Sequence, residues 1–397
     1  MLSSFSAPGR PALARLSAAW PVALAAVAAC GGDAQAPDEG EPVTAGCQDA
    51  TIAATSAAYR VCFPQDWNGE LVVYAHGYVA ADEPLAVPDD QFEGQPVAAV
   101  VNALGYAYAT TSYRANGLVA DLAVEDVAQL AQEVRRRFRP DPVRTYVVGV
   151  SEGGLVAALS AERHADLFDG AVAACGPVGD FTAQIDYFGD FRVVFDHYFP
   201  GVIPGDPMNV PDSVRLRWSS TYVPAITAAL EADAPATLQL LSVTGAPTDP
   251  GDPLTVGATV LGVLWYDVFA LPDARERLGG QPYDNVGRVY HGSQDDAALN
   301  AGVARISADA AAREGLKAFD TSGNLAMPLA TLHTTGDPIV PVEQSERYAA
   351  KVAAAGAAGL LDSQTVSRYG HCAFQRSELL NAFVTVVGRA RAAARID

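Results

Sequence analysis

From residue 71 onward, short apolar runs alternate with longer segments of helical periodicity. That alternation restricts the chain to a mostly parallel sheet joined by crossover helices. The runs are Leu71–Ala75, Tyr106–Thr111, Arg144–Val150, Gly170–Cys175 and Leu329–Thr334. Between the second and third, Val124, Val127, Leu130, Val134 and Phe138 fall on one helical stripe. Arg135, Arg136 and Arg137 occupy its last turn, where cations suit the helix dipole, and Pro140 and Pro142 forbid continuation. After Cys175 the alternation stops. Residues 180 to about 325 hold an aromatic cluster (Tyr187, Phe188, Phe191, Phe195, Tyr198, Phe199) and a second apolar stretch, Val256–Leu271, with Trp265. This segment reads as a cap inserted into one core. A helix near 343–355, a strand over Asp362–Arg368 and a terminal helix over Phe374–Ala393 complete the expectation, with no internal repeat.

A chain of 397 residues, half hydrophobic and 18% charged, has apolar material for a large core and is not disordered throughout. Its 26 basic against 46 acidic residues, net −20, repel phosphate backbones and argue against nucleic-acid binding. No apolar run reaches the roughly 20 residues that span a bilayer. At the N-terminus, Arg10 and Arg15 precede an apolar stretch, Leu16–Ala29, too short for a membrane helix. It ends in Val27-Ala28-Ala29-Cys30-Gly31, which resembles the lipobox of bacterial lipoproteins. That resemblance implies cleavage before Cys30, its acylation as a lipid anchor, and export to periplasm, outer membrane or cell surface. An ordinary secretory leader is the other reading. Residues 31–46, rich in Gly, Pro and acid, read as a flexible tether. The expected organisation is therefore a leader over 1–29, a tether over 30–46, a core from 47–179 and 326–397, and a cap or lid over 180–325.

Without Cys30, four cysteines remain, an even count in a compartment where disulfides persist. Three pairings are open. Cys47 with Cys62 would close a local loop, and Cys175 with Cys372 would join two segments expected at one sheet edge. Buried free thiols are the alternative.

Gly149-Val150-Ser151-Glu152-Gly153 follows an apolar strand and opens a helical pattern. A strand-to-helix turn this sharp forces its central residue to φ > 0, and residues two away must lack a Cβ. Gly149 and Gly153 meet that demand, and Ser151 is pushed to the tip. A hydroxyl becomes nucleophilic only when an oriented base takes its proton. Of six histidines, His371 follows the last expected strand on a loop at the sheet's carboxyl edge. His333 lies inside an apolar strand, His164 is a helix length beyond the serine, and His197 and His291 fall in the cap. The acid should lie between Ser and His at a strand end, which selects Asp337 in Gly336-Asp337-Pro338, with Asp362 as runner-up. For the developing oxyanion, Gly77 would permit a turn that aims the Tyr78 N–H into the site, and the Glu152 N–H would be the second donor. His76 is expected to anchor that loop.

His-Gly-Tyr, G-x-S-x-G, Asp in Gly-Asp-Pro-Ile-Val-Pro and Gly-His, in that order, resemble the α/β-hydrolase superfamily across roughly residues 55–397. The resemblance implies a mostly parallel sheet flanked by helices with a large cap. It also implies Ser151 as nucleophile, Asp337 as acid, His371 as base, and Tyr78 with Glu152 as oxyanion donors. The Ser-Glu-Gly-Gly elbow is similar to secreted lipase-like and prolyl-oligopeptidase-like members alike. His371-Cys372 also resembles feruloyl esterases and tannases, but their second Cys precedes the nucleophile, where this chain has Val150. The expected protein is an exported, monomeric serine hydrolase of small or polymeric carboxylic esters. A serine peptidase and a non-catalytic binding protein on the same scaffold are the alternatives. No CxxC, HExxH or phosphate-cradling Gly loop occurs, so neither a metal nor an organic cofactor is expected.

Overall fold

The computed structural model describes residues 40–393. The leader, Cys30 and the first part of the tether lie outside the described residues. Residues Glu41–Pro42, within the segment read as tether, pair with Phe138–Arg139, and Glu41 accepts hydrogen bonds from Arg137.

Eight strands form one sheet: β1 Gly46–Thr51, β2 Ala58–Phe63, β3 Glu70–Ala75, β4 Ala107–Thr111, β5 Arg144–Val150, β6 Gly170–Ala174, β7 Leu329–Gly336 and β8 Leu361–Tyr369. Their spatial order is β8-β7-β6-β5-β3-β4-β2-β1. The first hairpin is antiparallel and β2 is antiparallel to β4; every other pair is parallel. The five runs of the sequence reading become β3 to β7. Every residue of β3, β4 and β6 is buried, as strands covered on both faces must be. The hairpin escapes the sequence reading because its outer strand is largely exposed and carries no apolar run. From β3 the chain moves one way to β4 and then returns to the other side for β5. The carboxyl ends of β3 and β5 therefore flank the switch point where open α/β sheets bind ligands.

Helices cover both faces. On one lie α1 Val97–Ala103 and the C-terminal helix; on the other lie α2 Ala120–Arg137 and α3 Glu152–Arg163. The apolar stripe expected for α2 is buried at Val124, Val127, Leu130 and Val134. The segment after β6 is helical, with no strand among the described residues between Ala174 and Leu329. Its main helices are α4 Phe181–Tyr198, α5 Val223–Ala232, α6 Ala234–Thr244 and α7 Leu254–Leu278. Helices α8 Glu343–Ala354 and α9 Arg376–Ala393 flank β8 in sequence.

Helix α7 is, among the described residues, the one helix long and apolar enough to cross a membrane. Here it is the spine of the cap. The fully buried Arg192 of α4 reaches Asp267 of α7 at 2.8 Å and Asp196 at 2.9 Å, pinning the two helices together. Removing either partner would strand a buried charge, which is why such pairs are costly to break. The cap meets the core through Tyr187 Oη donating to Pro338 O (2.7 Å), Gln184 Nε2 donating to Ile339 O (2.8 Å) and Leu118 N–H donating to Asp273 Oδ2 (2.5 Å).

Candidate active site

The turn after β5 has the backbone that its glycines foretell. Ser151 sits at φ 60°, ψ −126° as the residue before α3. A Cβ on Gly149 would lie 1.7 Å from Gly153 O, and one on Gly153 would lie 2.0 Å from Ala75 O. Neither contact is physically possible, so both positions must be glycine for β3, β5 and α3 to converge. The Ser151 side chain is thereby presented at the positive end of α3.

Three elements bring the imidazole to it. His371 Nε2 lies 2.8 Å from Ser151 Oγ, and Nδ1 lies 2.7 Å from Asp337 Oδ2. With a carboxylate at Nδ1, that nitrogen carries the hydrogen and Nε2 is free to accept the serine proton. Asp337 follows β7, is 1% exposed, and its Oδ1 accepts N–H bonds from Ile339 (2.9 Å) and Val340 (3.0 Å). Burial raises its carboxyl, but His371 and His333 beside it win and hold it well below the usual carboxylate range. It stays ionised. The His371 loop is tied down at Gly370, whose carbonyl accepts from Thr334 Oγ1 at 2.6 Å.

Both cysteine pairs are disulfides, Cys47–Cys62 and Cys175–Cys372. The second fastens the residue after His371 to the residue just after β6, the strand beside the one that leads into Ser151. Both of its cysteines have positive φ (47° and 51°), a backbone that non-glycine residues rarely adopt. Cys175, Cys372 and His371 are also the one cluster among the described residues close enough to hold a metal ion. Because the two sulfurs are bonded to each other, that cluster has no thiolate to offer.

At the end of β3, a Cβ on Gly77 would meet Ser151 Cβ at 3.2 Å and Val150 O at 3.3 Å. The demand on Gly77 is thus one of space beside Ser151. The Tyr78 and Glu152 N–H groups have no partner in the backbone among the described residues. The Glu152 side chain turns away from the site: its Oε1 accepts from Val119 N (2.7 Å) and Ala120 N (3.1 Å), capping α2. Burial pushes this carboxyl up to about 8, against the downward pull of those two N–H groups.

The remaining candidates fall elsewhere. His76 is buried, its Nδ1 donates to Gly77 O at 2.8 Å and its ring stacks on Tyr113, so it anchors the loop. Burial lowers its pKa and keeps it neutral. His333 bonds Ser345 Oγ (2.9 Å) and Val340 O (2.8 Å) in the core beneath Asp337. His164 faces Glu125, His291 faces Asp296 and His197 lies against Gly302. Asp362, the runner-up acid, sits at the opposite end of β8 from His371.

One residue of the site has no counterpart in the sequence reading. Tyr266 of α7 is stacked on Phe188 (5.3 Å) and packed with Tyr78 (5.8 Å) and Trp265 (4.9 Å). Burial pushes its phenol above the usual range, while a hydrogen bond with the Ser151 hydroxyl pulls it back. Tyr266 of the cap therefore lies beside the Ser151 hydroxyl. The only signal in the sequence was the aromatic pair within an apolar stretch.

The strand order, the strained serine turn and the contact of Ser151 with His371 and Asp337 are those of the α/β-hydrolase fold. A profile of the prolyl oligopeptidase family matches residues 97–192. No curated protein sequence matches the chain. Similar solved structures include feruloyl esterase B from Aspergillus oryzae, at 14% identity and TM-score 0.45, covering 82% of this chain and 74% of that one. Proline iminopeptidase from Mycobacterium smegmatis is similar at 11% identity and TM-score 0.45, covering 88% of this chain and 100% of that one. Acylaminoacyl peptidase from Pyrococcus horikoshii is similar at 10% identity and TM-score 0.43, over 88% of this chain but 42% of that one. The chain spans well under half the length of the larger peptidases that it resembles, 35% and 38% for two others.

Proposed function

We propose that the protein is an exported hydrolase of carboxylic esters that works through an acyl-enzyme on Ser151. The alignment of Ser151, His371 and Asp337 carries this reading. Ser151 Oγ attacks the carbonyl carbon as His371 Nε2 takes its proton, and the N–H groups of Tyr78 and Glu152 receive the charge developing on the carbonyl oxygen. The ester C–O bond then breaks and the alcohol leaves with the proton from His371. Water, deprotonated by the same imidazole, attacks the acyl carbon and releases the acid and Ser151. Asp337 stabilises the imidazolium formed in each half-reaction.

Ester rather than amide substrates are favoured by the wall beside Ser151. It is built from Val148, Val150 and Phe374 and supplies few partners for a peptide backbone. The match of residues 97–192 to prolyl oligopeptidases favours the second reading, a serine peptidase with the same three residues. Wild type, Ser151→Ala and His371→Ala assayed on p-nitrophenyl esters and aminoacyl p-nitroanilides separate the readings. Each variant is expected to lose at least about 10⁴-fold in kcat/KM on esters. Amide cleavage faster than ester cleavage would reverse the ranking. A folded wild type that a fluorophosphonate fails to label would make the chain a non-catalytic binding protein.

A further inference from the structure

The two faces of the sheet are packed differently. Against α2, α3 and the cap, the apolar side chains form one continuous cluster. Against α1 and α9 the fully buried side chains break into three clusters, bridged only by the part-buried Val101, Val150 and Leu379. Between those clusters lies a cavity of about 350 Å³. Its floor is Val72, Val148 and Val150 of β3 and β5, its walls include Val101 of α1 with Leu379 and Phe383 of α9, and Ser151, Gly77 and Cys372 stand at its mouth.

Helix α1 shows the same gap from the other side. Its sequence, Val-Ala-Ala-Val-Val-Asn-Ala, is that of a core helix, yet none of its residues is buried. Its valines border open space. A folded domain normally closes such apolar surface into one core, so a void that opens on the nucleophile marks a binding site.

From these observations we infer that the cavity is an acyl channel, and that the substrates are esters of unbranched fatty acids of medium or greater length. The inference rests on the hydrolase reading above. The channel begins at Ser151, so the group bonded to the attacked carbonyl is the one that can enter it. Its depth can be read from strand register. Val72 pairs with Tyr146, four residues before Val150 on β5, which at roughly 3.3 Å per residue is about 13 Å. That is about twice the reach of an amino-acid side chain, so a peptide's residue next to the scissile bond would leave the far half empty. The charged residue of the wall, Asp90, is at the surface and accepts the Tyr74 hydroxyl at 2.8 Å. On the cap side, Tyr78, Trp265 and Tyr266 pack together over the serine.

The test is a p-nitrophenyl series from acetate to palmitate, in which the leaving group is constant. Each buried methylene is worth at most about fourfold, and kcat/KM is expected to rise at least about tenfold from butyrate to decanoate. Val101→Trp and, separately, Leu379→Trp fill the channel from either helix, and each is expected to cut the decanoate-to-acetate ratio at least tenfold. A flat series, or wild-type ratios in both folded variants, overturns the channel. If acetate is still cleaved, the hydrolase reading stands. Acetate esters of long alcohols outpacing decanoate esters of short ones would move the chain to the alcohol side and equally overturn the inference. Binding of the fluorescent fatty acid cis-parinarate to Ser151→Ala tests the channel without turnover. Displacement by decanoate but not by acetate is expected, and no binding overturns the inference.

Discussion

Glu152 does two unrelated jobs through two parts of one residue. Its backbone N–H has no backbone partner among the described residues and is the proposed oxyanion donor, while its carboxyl is buried against the first turn of α2. A carboxyl whose folded-state pKa is pushed up to about 8 favours its neutral form in the fold. Its contribution to stability is therefore complete below its ordinary pKa and is lost as pH climbs through 8. Glu152→Gln retains an acceptor for the Val119 and Ala120 N–H groups and cannot ionise. The variant is expected to match wild type near pH 5 and to exceed it by a few kcal/mol near pH 9, read from urea midpoints at both pH values. Equal pH dependence in the two proteins would show that folding leaves the pKa of this carboxyl unshifted. Asp337 has the opposite sign: its depressed pKa keeps it charged under all ordinary conditions, as a partner for imidazolium requires.

Between elements, the bond that matters most is Cys175–Cys372. It joins the end of β6 to the loop that carries His371, across a sequence separation of 197 residues. Closing a loop of that length in the unfolded chain is worth about 5 kcal/mol in the chain-entropy account. The bond also holds the imidazole loop against the strand next to β5. Cys372→Ser with Cys175→Ser is expected to lower the thermal midpoint and to reduce kcat more than KM rises, because the loop of His371 loosens while the channel floor on β3 and β5 remains. Unchanged kcat in a folded double variant would reduce the bond to a purely structural brace. Cys47–Cys62 is different in kind: its two residues already face one another in the β1–β2 hairpin, so it clamps a register set by strand pairing.

At the scale of the whole molecule, two disulfides suit a protein working outside the reducing cytosol. We propose the lipid anchor at Cys30 on the strength of the Val27-Ala28-Ala29-Cys30 pattern. Expressed with its own leader in a bacterium, the protein is expected in the membrane fraction, and Cys30→Ala is expected to release it to the soluble fraction. Wild type that is soluble from the start would favour the ordinary secretory leader.

Much of the site was legible along the chain because its demands are local. The elbow needs small residues at fixed offsets from Ser151, and Gly149 and Gly153 supply them within five positions. The strands β3 to β7 were legible because double burial leaves an unbroken apolar run. The β1–β2 hairpin was not, since one exposed edge strand offers no such run. Nor was the position of Tyr266, whose ring looks like any other aromatic residue in an apolar helix until α7 is laid over the serine. Pattern and local sterics alone thus pointed to the fold class and singled out Ser151, His371 and Asp337, which the fold brings into contact. Tertiary structure decided where α1 and α9 fail to meet above β3 and β5. That gap depends on the packing of helices remote in sequence, and periodicity records which face of a helix is apolar but not what that face will touch.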